Sequence, residues 1–190
     1  MILITIIIID NFSSDRSLDV IRKFIDPRIN LFQFQNNGII AASRNFGIKK
    51  SNGKYLAFLD SDDLWMKDKL SKSVKVLEKG ADFTYHDCIV FNGNFKKRRI
   101  TKSRSLKKPI KEDLIINGND IVTSSVVLRK ELFISITNFS ENINLIANED
   151  YDAWIRFSLI SNKFEYLPIP LGYLYVCLLY TSDAADEFMG

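Results

Sequence analysis

The chain is poor in the residues that build thiolate and imidazole metal sites. Its 190 residues hold two cysteines, Cys88 and Cys177, and one histidine, His86. That set is too small for a zinc site of cysteine and histidine, and too small for a disulfide framework. Any metal site must draw on carboxylates, which favour Mg2+ or Mn2+. Sparse cysteine also fits a reducing, cytoplasmic setting. Only 8 glycines are present, and none lies in the turn Asp10 to Asp15 (DNFSSD) after the first apolar run. A dinucleotide-binding Gly-x-Gly-x-x-Gly turn is therefore missing there. Charge of one sign is not in excess: the net charge of +3 gives no case for a nucleic-acid partner. Long hydrophobic runs are lacking too. Met1 to Ile9 is apolar but has no basic leader and no small-residue cleavage site, and it is far short of the ~20 residues that span a bilayer.

What is present is a globular composition, with 46% hydrophobic and 26% charged residues, enough for one domain with a real core. Ile2 to Ile9 is a β-branched run, the pattern of a strand covered on both faces. Leu18 to Phe24 has helical spacing, Asn30 to Phe34 reads as a short strand, and Gly38 to Lys49 as a second helix. Tyr55 to Leu59 is a buried strand running into Asp60-Ser61-Asp62-Asp63, followed by a helix over Leu64 to Leu77. Phe83 to Phe91 and Ile121 to Leu128 read as strands. Residues 96–108 form a basic, polar loop. Arg129 to Ile134 and Asp150 to Leu159 read as helices, and Phe164 to Leu167 and Leu171 to Val176 as closing strands. This alternation predicts an α/β domain over residues 1–176, with a mostly parallel central sheet flanked by helices. Residues 177–190 change character and are set apart as a non-native or disordered tail.

In open α/β sheets, ligands bind beyond the carboxyl ends of the strands. Two acidic clusters fall there: Asp10 with Asn11, and Asp60 with Asp62 and Asp63. Asp60-x-Asp62 is a spacing in which two carboxylates share one divalent cation or divide metal and sugar between them. The same residues also suit a solvated turn capping the next helix. Glu149-Asp150, ahead of Tyr151, Asp152 and Trp154, suits a general base beside a hydroxyl acceptor, or equally acids favoured at a helix N-terminus. Arg44 fits a nucleotide contact or a helix surface. His86, inside an apolar run, reads as structural. The basic stretch 96–108 is a solvated loop or a contact for anionic headgroups.

Taken in order, four stretches resemble the family 2 glycosyltransferases of GT-A fold. They are IIIIDNFSSD, NNGIIAASRNFGIKKSNGKYLAFLDSDDLW, NGNDIVTSSVVLRKELF and NEDYDAWIRF, and the resemblance as a whole extends over roughly residues 2–176. The second block is the most specific. The resemblance implies an inverting transfer of a sugar from a nucleotide-diphosphate donor, UDP-sugar being the commonest, to a hydroxyl on a glycan or lipid-linked acceptor. The setting it implies is bacterial surface polysaccharide synthesis at the inner face of the plasma membrane. Asp10 and Asn11 would contact the nucleobase or ribose, and Arg44 would hold the nucleotide. Asp60 would lie near the ribose or donor sugar and share with Asp62 the Mn2+ or Mg2+ and the diphosphate. Asp150 would be the catalytic base with Glu149 beside it, and Trp154 would line or support the acceptor pocket. The family domain opens with a strand and a helix ahead of the region equivalent to Ile2, so the resemblance also implies a truncated fragment.

Three other readings compete. A dehydrogenase lacks its glycine turn. A phosphotransferase with an aspartate nucleophile leaves the Ala42 to Asn45 block unexplained. A non-catalytic sugar- or nucleotide-binding module shares every binding feature and differs only in turnover.

Overall fold

The computed structural model describes residues 3–91 and 99–176. Its first unit is the parallel pair β1 (Ile6–Asp10) and β2 (Ile29–Gln33), joined by the short helix α1 (Ser17–Arg22). The helix α2 (Ile40–Lys50) packs on this pair. Phe46 on α2 stacks on Phe34 at 4.6 Å and meets Phe32 edge-on at 5.9 Å. Aromatic pairs of this geometry favour one docking angle over others.

The second unit is a mixed sheet. Its strands are β3 (Tyr55–Ala57), β4 (Leu64–Trp65), β5 (Phe83–Phe91), β6 (Arg99–Thr101), β7 (Val127–Arg129) and β8 (Phe164–Tyr175), in the order β3-β7-β5-β8-β4 with β6 on β5. The long ladders are parallel: five residue pairs between β1 and β2, and nine between β5 and β8. The antiparallel pairings span only two or three residues each. Helices α3 (Lys69–Glu78), α4 (Ile110–Asn117), α5 (Lys130–Ser135) and α6 (Glu149–Ser158) flank it.

The main core lies between this sheet and the helices. Phe58, Phe83, Phe133, Phe139, Trp154 and Phe157 are its aromatic centre. On α6, buried Ala153, Trp154 and Phe157 fall at helical spacing, as one apolar stripe requires. Phe83 is buried on β5 and meets the Trp154 ring edge-on at 4.9 Å.

Several elements differ from the sequence reading. The first strand is not covered on both faces: Ile6 is exposed, β1 pairs only with β2 among the described residues, and α1 buries no residue. Leu64-Trp65 is strand rather than helix, because its backbone pairs with Gly172 and Tyr173 of β8, and helix begins only at Lys69. Ile121 to Leu128 is interrupted by a 3-10 turn over Thr123–Ser125, where the Ser125 hydroxyl donates to the Val122 carbonyl. The two closing strands are one, with register shifts opposite Asp87, where Pro168 and Pro170 lack the N–H that a ladder needs. The basic stretch is partly β6, and α4 follows it. Arg104 turns inward to Asp113, Asp120 and the Gly118 carbonyl. Residues 96–98 of that stretch and the tail 177–190 lie outside the described residues.

Candidate active site

The acidic turn starts at Asp60, after Phe58 and Leu59 that follow β3, and it is held from below. Asp60 N–H donates to the Ser124 hydroxyl at 3.0 Å, and the Trp65 indole N–H donates to the Ser124 carbonyl at 2.8 Å. Asp63 is buried and accepts from Tyr175 N–H at 3.1 Å. Burial raises its proton affinity, the bonds from Ser124 and Tyr175 oppose that, and the nearby Asp62 and Asp60 carboxylates add to it. Asp62 is exposed at the tip of the turn.

Arg44 joins this turn to the start of α6. One guanidinium nitrogen meets Asp60 Oδ1 at 2.7 Å and another meets Glu149 Oε1 at 2.8 Å. The ring of Phe139 lies 5.5 Å from the guanidinium carbon, and Asn45, the next residue on α2, pins the Phe139 backbone through two hydrogen bonds. Burial alone would lower the Arg44 proton affinity; Asp60, Glu149 and Asp150 more than offset it. Three segments far apart in the chain thus share one cation.

Asp150 stands beside this bridge. Its Oδ2 accepts from the Thr123 hydroxyl at 2.8 Å and its Oδ1 from Tyr151 N–H at 2.6 Å. Burial pushes its pKa above the usual aspartate value, with the bonds from Thr123 and Tyr151 opposing and Glu149 adding to the rise. A carboxylate oriented by two donors, with proton affinity raised by burial, is suited to the role of a general base. Glu149 also lines a shallow, mostly apolar hollow with Ile39, Ile40, Leu145 and Ile146. The turn into this helix contains Ala147 at φ 67°, a conformation that costs a residue with a Cβ about 1 to 2 kcal/mol. Such strain is often concentrated at functional turns.

Asp10 and Asn11 occupy the neighbouring strand end. Asp10 accepts from Ser13 N–H and from Gln33, and the Ser13 bonds hold its pKa below the ordinary value. Asn11 accepts from Asn36 N–H at 3.0 Å, and Asn36 donates to Ser43, next to Arg44. These residues connect with the bridge through Asn36 and through Ser43 on α2. Trp154 is fully buried among aromatic rings, a place in the core beneath the site rather than on a pocket wall.

A divalent cation would find two carboxylates here, Asp60 and Asp62. Among the described residues no group of three or more His, Cys, Asp or Glu is arranged to hold a metal. Two carboxylates on an open turn fit the mode in which Mg2+ or Mn2+ takes its remaining ligands from substrate phosphates and water. They do not fit an all-protein cage. Burial lowers the His86 pKa to about 4 and raises that of Cys88 to about 12, so imidazole and thiol are both neutral at pH 7 and serve as core residues.

Residues 2–158 match the sequence profile of glycosyl transferase family 2. The chain belongs to that family. Its relatives include the amylovoran biosynthesis glycosyltransferase AmsB of Erwinia amylovora, 29% identical over 96% of this chain and 63% of that protein. Another is the UDP-Glc:alpha-D-GlcNAc-diphosphoundecaprenol beta-1,3-glucosyltransferase WfaP of Escherichia coli, 31% identical over 80% of this chain and 58% of that one. The chain therefore spans less than two thirds of either relative. Its fold matches that of Staphylococcus aureus TarS residues 1–349 in complex with UDP, with a TM-score of 0.71 at 20% identity, covering 90% of this chain and 51% of that one. That likeness establishes the GT-A architecture. Among the described residues, no helix is long and apolar enough to cross a membrane.

Two residues of the site were not singled out from the sequence: Thr123, which holds Asp150, and Ser124, which holds Asp60 and Trp65. The available signal was the polar interruption Thr123-Ser124-Ser125 inside the apolar run from Ile121 to Leu128.

Proposed function

We propose that this chain carries the donor-binding and catalytic core of an inverting hexosyltransferase that uses a UDP-sugar. The observation that supports this most is the Arg44 bridge between Asp60 and Glu149, because it sets a base candidate of raised proton affinity beside an acidic turn. Asp150 accepts the proton of an acceptor hydroxyl. That oxygen bonds to the anomeric carbon as the bond from this carbon to the diphosphate oxygen breaks, which inverts configuration and releases UDP. Asp60 and Asp62 would hold a divalent cation, which would supply charge stabilisation for the departing diphosphate. Arg44 acts as a brace between the donor and acceptor sides, and Asp10 and Asn11 shape the strand end that receives the nucleoside.

The relatives named for amylovoran biosynthesis and for a diphosphoundecaprenol-linked acceptor support a glycan or lipid-linked acceptor in bacterial surface polysaccharide synthesis. Arg99, Lys102, Lys107 and Lys108 are exposed along the basic stretch, and they fit peripheral contact with anionic headgroups at the inner face of the plasma membrane.

Calorimetric titration with UDP, with and without Mn2+, tests the donor site. Asp62→Ala should lose the metal-dependent part of binding. Asp150→Asn should keep UDP binding while transfer falls by a factor of about 10^2 to 10^4, the range for loss of a general base. Unchanged transfer in Asp150→Asn would sink the base assignment. Binding without turnover in the wild type would favour the binding-module reading.

A further inference from the structure

Lys69 is the first residue of α3 and is 0% exposed. Its amine lies 3.7 Å from the centroid of the Trp65 ring and 3.5 Å from the Val126 carbonyl oxygen. No carboxylate pairs with it among the described residues. The indole face attracts an ammonium, but the rest of this setting is costly for a lysine. Burial disfavours the ammonium, a positive charge at a helix N-terminus opposes the dipole, and one long hydrogen bond leaves the amine poorly satisfied. Burial drives its pKa well below the ordinary lysine value. A methionine would fill the same volume without any of these costs. Sequences break local rules in this way mainly where a site needs it.

The contacts of Lys69 lead directly to the acidic turn. The Trp65 indole, held against its amine, donates to the Ser124 carbonyl. The Ser124 hydroxyl accepts from Asp60 N–H and also bonds Asp63. Val126, the other partner of Lys69, lies two residues beyond Ser124. Gly172 of β8 also lies close to Trp65: an added Cβ there would be 3.1 Å from the Leu64 carbonyl oxygen and 3.8 Å from the indole. The indole thus has both β8 and the amine as near neighbours.

We infer that Lys69 is a positioning residue: wedged between Trp65 and Val126, it fixes Ser124, and through Ser124 the Asp60 to Asp63 turn, in the geometry that receives a metal-bound nucleoside diphosphate. This rests on the donor-site reading given above. Lys69 touches no substrate. It acts through the indole and the serine, so its loss should weaken metal-dependent binding and leave metal-free nucleotide contacts in place.

The test is calorimetric titration of the whole chain with UDP alone and with UDP plus Mn2+, alongside thermal unfolding. The variants are Asp62→Ala, Lys69→Met, Trp65→Phe and the Lys69→Met/Trp65→Phe pair. Lys69→Met should weaken binding of UDP with Mn2+ about tenfold, the scale of one lost net hydrogen bond. Its affinity for UDP alone should stay at the wild-type value, and its unfolding midpoint should match or exceed the wild-type one, because methionine escapes the cost of burying an amine. Trp65→Phe should weaken metal-dependent binding similarly, and the pair should be no weaker than its weaker member, because both act along one line. Wild-type affinity for UDP with Mn2+ in Lys69→Met overturns the inference. So does an equal loss with and without metal, which marks a general structural role. If Lys69→Met does not fold, wild-type affinity in Trp65→Phe overturns it instead. A wild-type chain without metal-dependent binding, or an Asp62→Ala chain that keeps it, overturns the donor-site reading, and the positioning role falls with it.

Discussion

Replacing Arg44 with methionine removes the cation shared by two carboxylates but keeps most of the stem packing. The two carboxylates respond differently. The Asp60 side chain is 38% exposed, so water screens it and its share is about 0.5 kcal/mol. The Glu149 side chain is 10% exposed, and stranding a buried charge costs about 3 to 5 kcal/mol. The helix dipole reduces that figure: Glu149 sits in the first turn of α6, where it returns up to about 1 kcal/mol. Arg44→Met should therefore lose about 3 kcal/mol at pH 7. In urea, with a slope near 2 kcal/mol/M, this is a midpoint shift of about 1.5 M. Glu149→Gln in the same chain removes the stranded charge, so the double variant should recover about 1 to 2 kcal/mol relative to the sum of the singles. A shift under about 0.3 M at pH 7, or strict additivity, would refute the bridge as a stabilising element.

Two further outcomes follow from the core. His86 has its pKa lowered from 6.5 to about 4, so the folded chain binds its proton less readily than the unfolded chain does. Its contribution is constant above pH 6.5 and is lost as pH falls from there to 4, by about 3 kcal/mol in total; His86→Asn, which does not titrate, should flatten that part of the urea midpoint profile, and identical profiles would contradict it. Trp154→Ala should destabilise the chain by about 3 to 5 kcal/mol, because the ring is fully buried against Phe58, Phe83, Phe133 and Phe139; a folded variant of near-normal thermal midpoint with lost acceptor affinity would instead make Trp154 a pocket wall.

Local pattern determined a good deal. Phe83 to Phe91 reads as a strand from its apolar and β-branched run and is one over that whole length. The helices near Gly38 to Lys49 and Asp150 to Leu159 form within a residue or two of their expected bounds. The acidic residues at the end of Tyr55 to Leu59 and at the start of α6 were visible because carboxylates after apolar runs mark strand ends and helix starts. The ordered blocks were enough to identify the family that the profile match establishes.

Tertiary structure decided the rest. Leu64-Trp65 looks helical in isolation, yet its backbone groups pair with β8, more than 100 residues away; no local propensity encodes that partner. The same holds for Thr123 and Ser124, whose hydroxyls matter only because the fold brings Asp150 and Asp60 to them. Trp154 reads as a site residue by its place in a motif, but helical periodicity turns it to the core face with Ala153 and Phe157. Arg44 reads as a surface arginine or a nucleotide contact, and becomes a bridge only when Asp60 and Glu149 converge on it. Sequence alone settles which residues can ionise and which faces are apolar, because those are properties of single side chains and short periods. Which charges meet is set by chain reversals and long-range pairing, and so belongs to the folded molecule.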